Sequence, residues 1–334
     1  MNSSPRPKVL VARHIFPQVA AHLGRHFEVE ANDQPVDWPY EELIRRLQGK
    51  AGAFISSTER IDAALLDACP GLRALCTMTV GYNNIDVAAC TARGVQVTNA
   101  PDVLTETTAD FGFALMMAAA RRIAESEHFL RAGQWNRWSY DMFVGADVHG
   151  ATLGILGMGR IGQAIARRGA LGFGMKVIYH NRSRLAPELE APLGARWVDK
   201  AELLRTADHL VLVVPYSPAS HHAIGAAELS LMKPTATLTN IARGGVVDDA
   251  ALAVALAERR IAAAGLDVFD SEPVVHPGLL VVPNVVLTPH IASATVATRM
   301  KMAMLAADNL IAVLGGKPPL TPVNAVPRPH DAGP

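Results

Sequence analysis

"TLGILGMGRIGQAIARR", residues Thr152–Arg168, is the stretch on which the fold turns. The apolar run TLGIL has the length of a strand and leads into Gly157, Gly159 and Gly162 in GxGxxG register, after which a helical pattern opens. In that strand–turn–helix setting the first glycine permits a tight turn, the second leaves room for a pyrophosphate, and the third lets helix and strand pack closely. The N–H groups at the start of the helix, which opens at Arg160 and Ile161, suit phosphate oxygens. The spacing predicts a dinucleotide-binding βαβ unit in mid-chain.

The next strand in that unit, "KVIYHNRSR" (Lys176–Arg184), ends where an Asp or Glu would accept hydrogen bonds from the ribose hydroxyls of NAD. No acid is there. Asn181, Arg182, Ser183 and Arg184 offer charge and donors instead, which suits a 2′-phosphate. One charge-assisted bond contributes on the order of 1.5–3 kcal/mol. The loop favours NADP(H), with NAD(H) as the weaker alternative.

Outward from this unit, strand-like runs alternate with helical patterns, the mark of parallel strands joined by crossovers in an α/β protein. "KVLVA", "FEVE", "GAFI", "ALCTM" and "VQVT" lie before residue 99, and "TLGIL", "KVIYH", "ARWV", "HLVLVV", "ATLTN", "AAAGLDV" and "NVVLTP" follow from residue 152. Between the two series "APDVLTETTAD" breaks the rhythm and a long helix starts, with Thr107 and Asp110 spaced as a capping box. Residues 295–314 read as a helix that returns to the first series, and the Pro-rich tail from Pro318 reads as mobile. Two parallel-sheet domains are expected: a substrate domain from residues 1–101 and 292–334, and a dinucleotide-binding domain from residues 102–291.

Composition narrows the partners. With 31 basic and 31 acidic residues among 334, no global field favours nucleic acid or an anionic membrane. "FGFALMMAAA" falls well short of the roughly 18 apolar residues a membrane span needs, and the four apolar residues before Arg13 are too few for a signal peptide. A cytoplasmic location is the expectation. Cys69, Cys76 and Cys90 lack CxxC spacing and read as buried small hydrophobes. No metal site is expected, because His22 and His26 have no third ligand and the adjacent His221 and His222 would not share a helix face. Trp135 and Trp138 suit core or interface packing, and the methionines at 116, 117, 300, 302 and 304 suit core filling.

Three further loops follow strands and carry groups fit for reducing a 2-oxo acid. "IARGG" brings Arg243, "FDSEP" follows Asp267 and brings Glu272, and "TPH" ends at His290. Loops beyond the carboxyl ends of parallel strands line the ligand crevice. A guanidinium there can bind the carboxylate and polarise the ketone. A protonated imidazole can give a proton to the developing alkoxide, and a carboxylate can hold that imidazole oriented and charged.

"NIARGGVVDDAAL", "AAGLDVFDSEP", "TPHIASAT", "TVGYNNID" and "APDVLTETTAD", with the mid-chain glycine loop, resemble the D-isomer-specific 2-hydroxyacid dehydrogenases across nearly the whole chain. "PDVLTETTAD" and "HNRSR" are most similar to the NADPH-preferring glyoxylate/hydroxypyruvate reductases of that family, some of which also reduce 2-ketogluconate. The resemblance implies a homodimer in which a Rossmann dinucleotide-binding domain is inserted in a flavodoxin-like substrate domain. It implies Arg243, Glu272 and His290 as the catalytic set, with Arg243, His290 and the Val80 and Gly81 backbone holding a small 2-oxo or 2-hydroxy acid. Thr108, Pro215, Asp267 and Ser293 join the cofactor residues, and Trp138 reaches the partner subunit's site. Asn83 and Ala292 stand where the family often has Asp and Gly, and neither change removes a reacting group. A nucleotide-sensing co-repressor on the same fold is the alternative of another class. A phosphoglycerate dehydrogenase is disfavoured, since the stretch after residue 314 is too short for a regulatory domain.

Overall fold

The computed structural model describes residues 5–326. Two compact units divide the chain: one runs to Leu104 and resumes at Thr295, and the other is Thr105–Ala294.

In the first unit β1 (Lys8–Val11), β2 (Glu28–Ala31), β3 (Gly52–Ile55), β4 (Ala74–Thr77) and β5 (Gln96–Thr98) form one parallel sheet in the order β2-β1-β3-β4-β5. That order is flavodoxin-like. Successive side chains point to opposite faces, so Leu10, Ala53, Ile55, Leu75 and Val97 build one core while Val9, Val11, Phe54, Ala74 and Cys76 build the other. A sheet buried on both faces needs continuous apolar runs, which is why "GAFI" and "ALCT" show no polar alternation. The helix Val296–Leu314 covers the second face through Ala303, Ala306, Ala307 and Leu310.

In the second unit β6 (Thr152–Leu156), β7 (Lys176–His180), β8 (Arg196–Trp197), β9 (His209–Leu212), β10 (Thr237–Asn240), β11 (Ala263–Leu266) and β12 (Val285–Leu287) are also all parallel, in the order β12-β11-β10-β9-β6-β7-β8. The direction of winding reverses between β6 and β9, and the glycine loop follows β6 at that switch point, where sheets of this kind bind ligands.

Three sequence expectations need correction or completion. The long helix begins at Thr105, so Thr107 lies inside it and is not its N-cap; the Asp110 carboxylate accepts from the Arg168 guanidinium at 2.8 Å. The tail from Pro318 is not loose over its described part: Pro322 bridges Thr98, the Val323 N–H donates to the Val97 carbonyl at 2.9 Å, and the Asn324 side chain accepts the Val97 N–H at 2.7 Å. It covers the free edge of β5, which an uncovered parallel sheet would expose. Residues 327–334 of that tail lie outside the described residues. Trp135 and Trp138 are exposed in this chain, so neither is core. The three cysteines are buried, and Met116 and Met302 are core residues with Met117, Met300 and Met304 packed at its margins. Among the described residues no helix is long and apolar enough to cross a membrane.

Candidate active site

The glycine loop leaves β6 under steric control. Gly157 has φ +103, and a Cβ there would lie 2.8 Å from the Val213 carbonyl carbon and the Val214 nitrogen, so only glycine lets the turn press against the end of β9. A Cβ on Gly162 would meet the Gly157 carbonyl oxygen at 2.3 Å, which keeps the helix Arg160–Arg167 close against its strand. At Gly159 a Cβ would meet nothing within 4 Å. The three glycines thus divide as a nucleotide site requires: two serve close packing within the protein, and the middle one keeps a space clear. The Thr108 hydroxyl is a second sign of fit, since its oxygen is buried without a hydrogen-bond partner in the same unit. A dinucleotide would be held by the N–H groups of this loop and by groups of the Thr108 helix, and these residues fit it.

Gly159→Ala is accordingly expected to leave Tm unchanged while weakening dinucleotide binding. Gly162→Ala is expected to destabilise by about 1–3 kcal/mol through overpacking. Thermal unfolding with and without NADPH reads both effects; equal Tm losses in the two variants would contradict the division of roles.

At the carboxyl end of β7 the loop is tied down at several points. The Asn181 side-chain oxygen accepts the Met158 N–H at 2.6 Å, and its carbonyl accepts the Trp197 indole N–H at 3.0 Å. Arg184 does not point freely at a ligand: its guanidinium donates to Glu190 at 2.6 Å and 2.9 Å. Arg182 and Ser183 are exposed. Pro215, just beyond β9, is exposed, and its carbonyl accepts the Ser220 hydroxyl at 2.9 Å.

Beyond β10, β11 and β12 the three expected loops come together. His290 Nδ1 and Glu272 Oε2 are 2.8 Å apart, and Glu272 Oε1 accepts the Phe269 N–H at 3.0 Å. Burial pushes the Glu272 carboxyl up, but His290, the Phe269 N–H and the Arg243 charge together outweigh burial and hold it below its ordinary value of 4.5. For Arg243 burial dominates and lowers the pKa against the opposing pull of Glu272. The Asn240 side chain, buried at the end of β10, accepts the Ala242 N–H at 3.0 Å and donates to the Arg243 carbonyl at 3.3 Å. Gly244 is indispensable here, because a Cβ would lie 1.6 Å from the Phe269 carbonyl oxygen.

Asp267 is 1% exposed, and both its oxygens are engaged. Oδ1 accepts the Thr288 hydroxyl and the Ile291 N–H, each at 2.8 Å, and Oδ2 accepts the Ala292 N–H at 2.9 Å. These bonds hold a turn in which His290 has φ +53, a conformation costly for a non-glycine residue and kept only because its surroundings impose it. The His290 N–H also donates to the Asp267 carbonyl at 2.9 Å. Ala292 uses only its N–H, so the side-chain departure there has no effect on the turn. Ser293 follows, half-buried. Burial raises the Asp267 pKa, against the lowering effect of its donors and His290.

Val80 and Gly81 belong to the other unit, just past β4, where Asn99 donates to the Val80 carbonyl at 2.8 Å and Thr79 to the Gly81 carbonyl at 2.7 Å. Asn240, Gly244 and the Tyr179–Glu190 pair were not among the expected site residues. The signal for Gly244 and Asn240 was their place in "NIARGG" and for Tyr179 its place in "KVIYH", whereas Glu190 lay outside every quoted motif. Among the described residues no His, Cys, Asp and Glu cluster could hold a metal. His221 and His222 stack in a loop at 3.9 Å between ring centroids, so adjacency in sequence did not keep them apart.

Comparison with known proteins identifies the family. Residues 113–292 match the family described as D-isomer specific 2-hydroxyacid dehydrogenase, NAD binding domain. The chain is 48% identical over 323 residues to a glyoxylate reductase of Thermococcus onnurineus, covering 96% of each. A solved structure of a Thermus thermophilus protein matches with TM-score 0.88 and 41% identity, covering 95% of this chain and 100% of that one. The NADPH-dependent glyoxylate/hydroxypyruvate reductase of Sinorhizobium meliloti, solved in complex with NADP and malonate, matches with TM-score 0.85 and 37% identity over 95% of this chain and 97% of that one.

Proposed function

The chain belongs to the D-isomer-specific 2-hydroxyacid dehydrogenase family, and from that premise we propose that it is an NADPH-dependent reductase of small 2-oxo acids, glyoxylate and hydroxypyruvate foremost. The observation that carries this reading is the His290–Glu272 pair at 2.8 Å, within the field of Arg243, beyond adjacent strands of the nucleotide unit. Relatives named glyoxylate reductase and a neighbour that binds NADP support the substrate class and the cofactor.

When bound, NADPH supplies the hydride that the keto carbon accepts. Arg243 binds the substrate carboxylate and draws electron density toward the ketone oxygen. His290 engages Glu272 through Nδ1, which leaves Nε2 to pass its proton to that oxygen as negative charge develops. Glu272, whose carboxyl is held below its ordinary value, keeps the imidazole oriented through Nδ1. The Val80 and Gly81 backbone assists with the carboxylate, as the family resemblance implies. Turnover of a panel of 2-oxo acids with NADPH and with NADH tests the reading: glyoxylate and hydroxypyruvate should give the highest kcat/KM. A preference for 2-ketogluconate would move the assignment within the family, and absence of all turnover would favour a nucleotide-sensing binding protein.

Arg182→Ala should raise the KM for NADPH roughly tenfold or more, the loss of one charge-assisted bond, and leave NADH unaffected. Equal effects on both cofactors would remove the 2′-phosphate assignment. We also propose a homodimer, on the support of an exposed apolar stretch: Trp135 is 55%, Trp138 73% and Tyr140 89% exposed. A patch of this kind commonly marks an association surface. A monomeric mass by light scattering at micromolar concentration would refute the dimer.

A further inference from the structure

We infer that Arg184 is a positioning residue for cofactor selectivity and not a ligand of the 2′-phosphate: with Glu190 and Tyr179 it clamps the loop so that Arg182 and Ser183 alone meet the phosphate. The inference rests on the NADP(H) reading above and deepens it by separating the residues that touch the phosphate from the one that sets their place.

The clamp joins three pieces of chain. Tyr179, fully buried in β7, donates its hydroxyl to Glu190 Oε1 at 2.5 Å and accepts the Leu185 N–H at 2.7 Å. Glu190, 5% exposed at the end of the helix Pro187–Glu190, receives Arg184 Nε on Oε1 at 2.9 Å and Nη2 on Oε2 at 2.6 Å. Two parallel N–H bonds to one carboxylate form the strong, directional kind of ion pair. If Arg184 turned away toward a phosphate, Glu190 would be left as a buried anion with only a phenol for partner, which is costly. Arg184 therefore stays. Its charge, followed by the Tyr179 hydroxyl, holds the Glu190 carboxyl below its ordinary value, as a standing ion pair requires.

The other side of the loop is equally fixed. Asn181 is bound to Met158 and Trp197, and His180 Nδ1 lies 2.9 Å from the Val198 carbonyl. Between these two anchored ends, Arg182 and Ser183 are exposed and make no hydrogen bond or ion pair with any described residue. A short span held at both ends has few conformations to lose when a ligand orders it, so its two free side chains bind with a smaller entropic cost.

The test measures binding of adenosine 2′,5′-bisphosphate and of 5′-AMP, together with the KM for NADPH and NADH, in wild type, Arg184→Ala, Glu190→Gln, the double variant and Tyr179→Phe. Wild type should bind the bisphosphate at least tenfold more tightly than 5′-AMP. Equal binding would refute the NADP(H) reading itself, whatever the variants do. For the clamp, Arg184→Ala and Glu190→Gln should each weaken bisphosphate binding roughly fivefold, with the double variant no worse than either. 5′-AMP binding, kcat and the KM for NADH should not change. If Arg184 were a direct ligand, Glu190→Gln would free its guanidinium and leave bisphosphate binding unchanged or tighter. That result, additive losses, or an equal loss of 5′-AMP binding overturns the proposal. Trypsin cleavage after Arg182 gives a readout that needs no cofactor: it should accelerate in Glu190→Gln and in the milder Tyr179→Phe, which keeps the test valid should the charge variants fold poorly. An unchanged cleavage rate overturns the clamp.

Discussion

Replacing His290 by alanine is expected to lower kcat/KM for keto-acid reduction by about 10²–10⁴-fold, the range for loss of a positioned proton donor, and to do so at every pH. No other described side chain is seen to pair with the Glu272 carboxylate, so no neighbour takes over the role. Glu272→Gln should behave differently. It keeps the shape and the acceptor for the Phe269 N–H but removes the negative charge opposite His290. Its kcat/KM for reduction should fall by roughly tenfold, the loss of one charge-assisted hydrogen bond, and by less than in His290→Ala.

The Glu272 carboxyl also sets a stability window. Its folded pKa lies below its ordinary value of 4.5. A depressed carboxylate contributes stability that is fully present above the unfolded value and lost as pH falls through the folded one. The Tm difference between wild type and Glu272→Gln should therefore be constant from neutral pH to about pH 5 and shrink below roughly pH 4.5. The kcat/KM values of the two variants, with a deuteride isotope effect to verify that chemistry limits the rate, decide the catalytic part. A Glu272→Gln rate equal to wild type would mean that Glu272 does not act on His290.

Arg243→Ala is expected to cost about 10²–10³-fold in kcat/KM, the magnitude for removing a donor aimed at developing charge. Arg243→Lys should recover only a small part of that, because an ammonium lacks the planar fork that matches a carboxylate and a ketone oxygen together. The site is built for the guanidinium: burial already lowers its pKa, and Glu272 nearby offsets part of that cost. Activity restored by added guanidinium ion in Arg243→Ala would support the assignment, whereas near wild-type turnover in Arg243→Lys would reduce Arg243 to a generic positive charge.

Much of the fold was legible because its signals are local. A strand buried on both faces must be a short apolar run, as GAFI, ALCT and HLVL are, and each described strand overlaps one of the strand-like runs, although β2 and β8 are neither apolar nor fully buried. Gly157, Gly159 and Gly162 are legible for the same reason, since the steric demands of a strand–turn–helix are met within a few residues. Arg243, Glu272 and His290 could be nominated because each directly follows a strand, and parallel strands deliver such loops to one edge. The helix start was misjudged because Thr107 has capping chemistry but Thr105 already has helical geometry. The tail was misjudged because its partner, β5, lies 228 residues away for the Gln96–Asn324 contact.

By itself, then, the sequence determined the two parallel-sheet units and the glycine loop, and it nominated the residues for phosphate binding and proton transfer, since all of these follow from side-chain type and short-range spacing. The tertiary structure decided which of those groups are free. "HNRSR" presents two arginines of equal charge, both exposed, yet folding of the chain over β7 brings the buried Glu190 against Arg184 and gives Arg182 no such partner. It likewise commits Asp267 to the turn that holds His290. Composition counts charges, but a charge is available to a ligand only when no buried partner already holds it, and burial is a property of the packed chain.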